Sequence, residues 1–200
     1  MRKKKGKRFL YILLFIVLLP LLLVELIFKG IYRLCCRKKK NGKYGDREFY
    51  ESLSIERVDV MDGIEFEKFL KRLFIYKGYS VSETARTGDF GADLLLCKDG
   101  KTIVVQAKRY NNNVGAKAIQ EIFSARHHYG ADEMMVVSNA HFTKQAEQMA
   151  REQRVDLIDR DELAAMIDEV KLELGEKMIE DAGSTPGVGG DIYDNFKYRI

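Results

Sequence analysis

The sequence predicts a layered α/β domain on a central mixed β-sheet, preceded by a transmembrane helix. Three observations lead there. Across residues 61–175, segments with apolar residues at three- and four-residue spacing alternate with short apolar runs. Two of those runs, 94–97 (LLLC) and 102–105 (TIVV), flank Asp99-Gly100, a favoured pair for a tight hairpin turn. Nearer the N-terminus, residues 9–28 form a run of twenty in which Glu25 is the one charge.

That run matches the ~20 residues needed to cross a ~30 Å hydrocarbon core. Pro20 in mid-run is tolerated in a membrane helix, and Glu25 near its end is within reach of the interface. The run is longer than the apolar part of a signal peptide and no small-x-small cleavage pattern follows it, so an uncleaved single-pass anchor is expected. Six basic residues precede it and seven follow within residues 1–43, so the charge bias that sets orientation is nearly tied. A re-entrant hairpin bent at Pro20 stays open, and the globular part is expected in the cytoplasm. The basic flanks make anionic membrane lipid an expected partner.

Residues 1–43 hold thirteen Lys and Arg against one acid, +12, and the whole chain carries +4, which leaves −8 on residues 44–200. An acidic body excludes strong nonspecific nucleic-acid binding over its whole surface; any such contact is local, at a site with flanking cations such as Arg86 and Arg109. Cys35 and Cys36 are adjacent and Cys97 falls in a core run, which makes neither a disulfide framework nor a zinc pattern.

Residues 44–60 are polar and read as a linker, with room for a short helix, between the anchor (1–43) and the domain (61–175). The first domain helix is capped by Asp62, carries Ile64, Phe66, Phe69, Leu70, Leu73 and Phe74 at helical spacing, and ends at Gly78. Glu67 lies on it one turn before Lys71, as a surface partner of that lysine or as an acid turned toward a site. Glu65 is read as its solvated neighbour. Residues 79–83 alternate as a strand, and 86–91 form a Gly-rich loop. Asp93 opens the first hairpin strand. Gln106 and Lys108 close the second, two apart and so on one face. A fold about Asp99-Gly100 brings position 93 to the same end as 106–108, so an acid, an amide oxygen and a lysine converge. Asp89 is an alternative acid; spacing to the hairpin favours Asp93. A helix follows over 114–129, whose His127 and His128 suit its negative end and have no metal-ligand spacing. Then come a strand (134–138), a helix (142–151), a strand (155–158), a helix (161–174) and a Gly-rich tail over 176–200.

The stretch GDFGADLLLCKDGKTIVVQAKRY (88–110) resembles the catalytic core of the PD-(D/E)XK nuclease superfamily. The variant is that of Mrr-like restriction endonucleases, in which Gln replaces the second acid of the motif. GIEFEKFLKRLFIYKGYSV resembles that family's opening helix, and VVSNAHFTKQAEQMA and VDLIDRDELAAMI its closing segments, so the likeness spans residues 60–167. It implies a restriction-endonuclease-like fold and a metal-dependent DNA endonuclease, similar to type IV restriction enzymes, that hydrolyses phosphodiester bonds. Asp93, Gln106 and Glu67 would hold Mg²⁺ or Mn²⁺, while Lys108 would orient the attacking water or stabilise developing negative charge. DNA is then the partner, with a homodimer left open. Two other readings stay: a nuclease-fold protein without turnover that tethers nucleic acid or a partner to the membrane, and a membrane-bound structural or signalling protein in which these residues coincide.

Overall fold

Five strands follow one another across a single sheet in chain order: β1 (Ser80–Glu83), β2 (Leu94–Lys98), β3 (Lys101–Lys108), β4 (Glu133–Ser138) and β5 (Val155–Ile158). The computed structural model describes residues 46–84 and 91–183, and the helices among them are α1 (Asp46–Ser52), α2 (Ile55–Asp59), α3 (Gly63–Tyr76), α4 (Lys117–Tyr129), α5 (Lys144–Gln153) and α6 (Arg160–Gly183). Asp99 and Gly100 both take the left-handed backbone, φ 53° and 80°, which a type I′ turn demands, and so fold β2 back onto β3. β1 joins β2 antiparallel, whereas β4 and β5 are parallel to β3 because a helix crosses over between each pair. The sheet is therefore mixed, as expected. The expected anchor at 9–28 lies outside the described residues, and no helix among those described is long and apolar enough to cross a membrane.

Alternation along β3 sorts the layers. Ile103 and Val105 face a core built with Phe66, Leu70 and Leu73 of α3 and Leu163 and Ile167 of α6. Val104 faces the other way, onto Ala118, Ile119 and Ile122 of α4 and Ala146 of α5. Gln106 and Lys108 share the parity of Val104 and so lie on the α4 face.

Residues 46–59, expected as a linker with at most a short helix, fold as α1 and α2 and bury Phe49, Leu53 and Val58 in the α3–α6 core. The same contact explains why α6 runs to Gly183 rather than stopping near 174. Tyr50 of α1 and Met178 of α6 pack against one core, so the α1–α2 segment gives the late turns of α6 something to bury against. Short polar helices carry too weak a periodic signal to reveal such a partner. Two local contacts were not expected. Glu65 is not merely solvated: with Asp62 it forms a reciprocal capping box at the start of α3. Lys71 reaches across to Glu83 at 2.6 Å.

Candidate active site

The start of β2 and the end of β3 meet at one end of the sheet. Leu94 pairs with Val105, and the Asp93 N–H continues the ladder by donating to the Val105 carbonyl at 2.8 Å. By that register Asp93 stands opposite Gln106. Its side chain turns along the neighbouring strand, where Oδ2 accepts the Ala107 N–H at 2.7 Å. Thr84, just past β1, secures the approach: its N–H donates to the Asp93 carbonyl at 3.2 Å and its hydroxyl to the Ala92 carbonyl at 2.5 Å. Both the backbone and one carboxylate oxygen of Asp93 are thereby fixed. Lys108 pairs in parallel with Ser138, whose hydroxyl donates to the Lys108 carbonyl at 2.7 Å. The cluster thus sits at the carboxyl ends of β3 and β4, where α/β sheets open toward ligands.

A fourth residue completes the cluster. Glu121 of α4 accepts the Gln106 Nε2–H at 2.8 Å and the Lys108 ammonium at 2.9 Å, both on Oε2, while its Oε1 is 3.7 Å from Lys117 Nζ. Burial pushes the Glu121 carboxyl up, but the bonds from Lys108 and Gln106 outweigh it and hold the group below the usual carboxylate range. The sequence did carry a signal for Glu121. The parallel β3–β4 connection obliges its helix to cover the sheet face bearing Gln106 and Lys108, and Glu121 is the one acid in KAIQEIFSARHHY.

Gly91 crowds the Glu121–Gln106 contact. At φ +89° it presses so close that a Cβ there would lie 3.0 Å from Glu121 Cβ and 3.1 Å from Gln106 Nε2. Gln106 is 2% exposed, and its Oε1 is buried without a hydrogen-bond donor among the described residues. Leaving an acceptor so typically costs about 1–3 kcal/mol, which a bound cation or water would relieve. An amide oxygen and, at the strand position paired with it by register, a fixed carboxylate are the hard, oxygen-only donor types that suit Mg²⁺ or Mn²⁺. The residues present fit such an ion.

The other expected site residues are placed differently. Glu67 is half-buried on the second turn of α3, in the layer opposite Gln106. Lys71, one turn later, reaches Glu83, which pairs with Leu94, so Glu67 lies toward the Asp93 end of the sheet. Arg109, expected to face nucleic acid, donates to the Asp59 carbonyl and, at 2.9 Å, to Asn111. It belongs to a clamp in which Arg160 grips both Asp59 carboxylate oxygens at 2.7 Å and Asn139 donates to Asp59 Oδ1 at 2.9 Å. Arg86, and Asp89 as the alternative acid, lie outside the described residues. Elsewhere His141, Asp159 and Asp161 place potential ligand atoms within 4.8 Å of one another. Asp159 Oδ1 accepts the Asp161 and Glu162 N–H groups, however, which is helix capping at the start of α6.

The Mrr catalytic-domain model, described as restriction endonuclease, matches residues 58–167. Comparison with curated proteins gives no match. Among solved structures, AF1548, a protein of unknown function, aligns with a TM-score of 0.46 at 17% identity, over 54% of this chain and 63% of its own. AspBHI, a DNA modification-dependent restriction endonuclease, aligns with a TM-score of 0.46 at 16% identity, over 68% of this chain and 41% of its own. MspJI, a restriction endonuclease in complex with a 27-mer oligonucleotide, aligns with a TM-score of 0.44 at 17% identity, over 80% of this chain and 40% of its own. The chain thus spans between 40% and 63% of the length of these structures.

Proposed function

The chain belongs to the Mrr-type restriction endonuclease family, and from that premise we propose that it is a metal-dependent DNA endonuclease tethered to a membrane through residues 9–28. One observation supports this above the rest: Gln106 and Lys108 at the end of β3 stand across the register from Asp93, with the Gln106 acceptor oxygen buried and without a donor among the described residues. Asp93 and Gln106 Oε1 would hold Mg²⁺ or Mn²⁺, with Glu67 as a further carboxylate from the opposite layer. When bound, the ion supplies Lewis-acid polarisation of the phosphate and a nucleophilic water. Asp93, locked by Thr84 and Ala107, presents its carboxylate without needing to reorganise. Lys108, with a side chain 19% exposed, sets a positive charge against the phosphate as negative charge develops there. A Gln in place of a second carboxylate lowers the site's negative charge, so cation affinity is expected to be modest.

The test is plasmid nicking by the full-length protein in detergent, with Mg²⁺ or Mn²⁺ and with chelator. Wild type should nick only with the metal. Asp93→Asn should lose both cation binding and nicking. Lys108→Ala should keep cation binding by calorimetry while nicking falls on the order of 10²-fold or more, as for loss of a single charge stabiliser. Wild-type nicking rates in both variants would overturn the assignment. A wild-type protein that binds DNA without cleaving it would point to a tethering protein on a nuclease scaffold.

A further inference from the structure

We propose that Glu121 is the positioning residue of this site. By taking the Gln106 amide N–H and the Lys108 ammonium on one carboxylate oxygen, it sets which end of the amide faces a cation and where the ammonium stands. This rests on the reading above that Gln106 Oε1 is a cation ligand.

The two ends of a glutamine amide are nearly equal in size and opposite in hydrogen-bonding sense, so its orientation follows from its partners. An ionised carboxylate only accepts. Nε2 alone can therefore face Glu121, at 2.8 Å, and Oε1 must turn away from it. In the reverse orientation Oε1 would oppose the carboxylate oxygens, and Nε2 would present hydrogens to a cation. Gly91 crowds the same Nε2 end, where an added Cβ would lie 3.1 Å from Nε2 and 3.0 Å from Glu121 Cβ. Glu121 is itself well anchored, since its neighbours on α4, Ala118, Ile119 and Ile122, are buried against the sheet. The same oxygen takes Lys108 Nζ at 2.9 Å, which ties the two polar ends of the Gln-x-Lys pair to one point. Such outer-shell bonds typically carry 10–100-fold in cation affinity.

The experiment measures Mn²⁺ binding to the full-length protein by titration calorimetry, with circular dichroism melting to establish that each variant is folded. Wild type should bind, and Asp93→Asn should weaken binding; failure of either removes the cation site and this inference with it. With that established, Glu121→Ala should weaken Mn²⁺ binding by about 10–100-fold. Glu121→Gln should restore most of it. The donor-only Lys108 would select the oxygen end of the new amide, which then still accepts from Gln106. In a Gln106→Ala background, Glu121→Ala should cause no further loss, because its effect passes through Gln106. Three results would overturn the role while leaving the cation site standing. They are unchanged affinity in a folded Glu121→Ala protein, equal losses in the Ala and Gln variants (a direct ligand), or losses at 106 and 121 that add.

Discussion

Gly91 shows how narrowly the site is fitted around one amide. Its φ of +89° lies where L side chains rarely go, and an added methyl would meet Glu121 Cβ at 3.0 Å and Gln106 Nε2 at 3.1 Å. The first atom is bound to the α4 backbone and cannot swing aside; the second is held by Glu121. Gly91→Ala therefore combines backbone strain with a clash, and should destabilise the fold by about 1–3 kcal/mol. It should also weaken Mn²⁺ binding, since the cheapest relief is to move the Gln106 amide. Thermal melts beside calorimetric titration separate the two effects. Full stability and full affinity in the Gly91→Ala protein would show that the backbone here relaxes freely. At this scale Asp93, Gln106 and Lys108 were legible because a hairpin converts sequence distance into spatial register: the turn at Asp99-Gly100 leaves one partner for position 93. Glu121 was harder to see. Its placement needs the crossover helix to be set on a particular sheet face, which is information about layers and not about spacing.

At the scale of elements, helices and strands with strong periodicity were readable, and misreadings cluster where an element is short or polar. DREFYES and IERVD each bury one residue within the helix, Phe49 and Val58, too few to show a period. What holds them is tertiary: the Tyr76 hydroxyl donates to Asp46, and Asp59 at the end of α2 is gripped by Arg160 and Asn139. Arg109 joins this clamp and ties the end of β3 to α2. The bonds from Arg160 hold the Asp59 carboxyl below its ordinary value, against the opposing effect of burial. A carboxyl depressed in the folded state contributes stability that is complete above its unfolded value, about 3.9, and is lost as pH falls through the folded-state value. The melting temperature should therefore drop below about pH 4, and the drop should be shallower in Asp59→Asn. It should not vanish, because Asp159 and Glu121 are depressed too. At neutral pH, Asp59→Ala should cost roughly 1.5–3 kcal/mol, the range for a charged hydrogen-bonding partner. Parallel pH–melting curves for wild type and Asp59→Asn would refute a role for Asp59 in the acid limb.

For the whole molecule, what matters is where the folded unit begins. The sequence divides at two places, by charge after residue 43 and by apolar periodicity near residue 60, and the structure distinguishes them. Phe49, Leu53 and Val58 are 2%, 0% and 0% exposed, in the core that also holds α3 and α6. Deleting one buried side chain of this kind typically costs about 2–5 kcal/mol, so loss of all three would exceed the stability of an ordinary domain, roughly 5–15 kcal/mol, or consume most of it. Removal of residues 1–43 takes away none of these, nor Asp46 or Asp59. The protein lacking 1–43 should then be soluble and melt cooperatively. The protein lacking 1–60 should be aggregated or molten, although it keeps Asp93, Gln106, Lys108 and Glu121. Full-length protein beside the form lacking 1–43 tests the tether. Full-length protein should stay with membranes through high salt and alkaline washing, while the form lacking 1–43 should partition into the soluble fraction. Release of intact full-length protein by salt alone would leave only the thirteen basic residues of the head, acting on anionic lipid, as the attachment. A folded, soluble protein beginning at residue 61 would mean that α1 and α2 decorate the core without completing it.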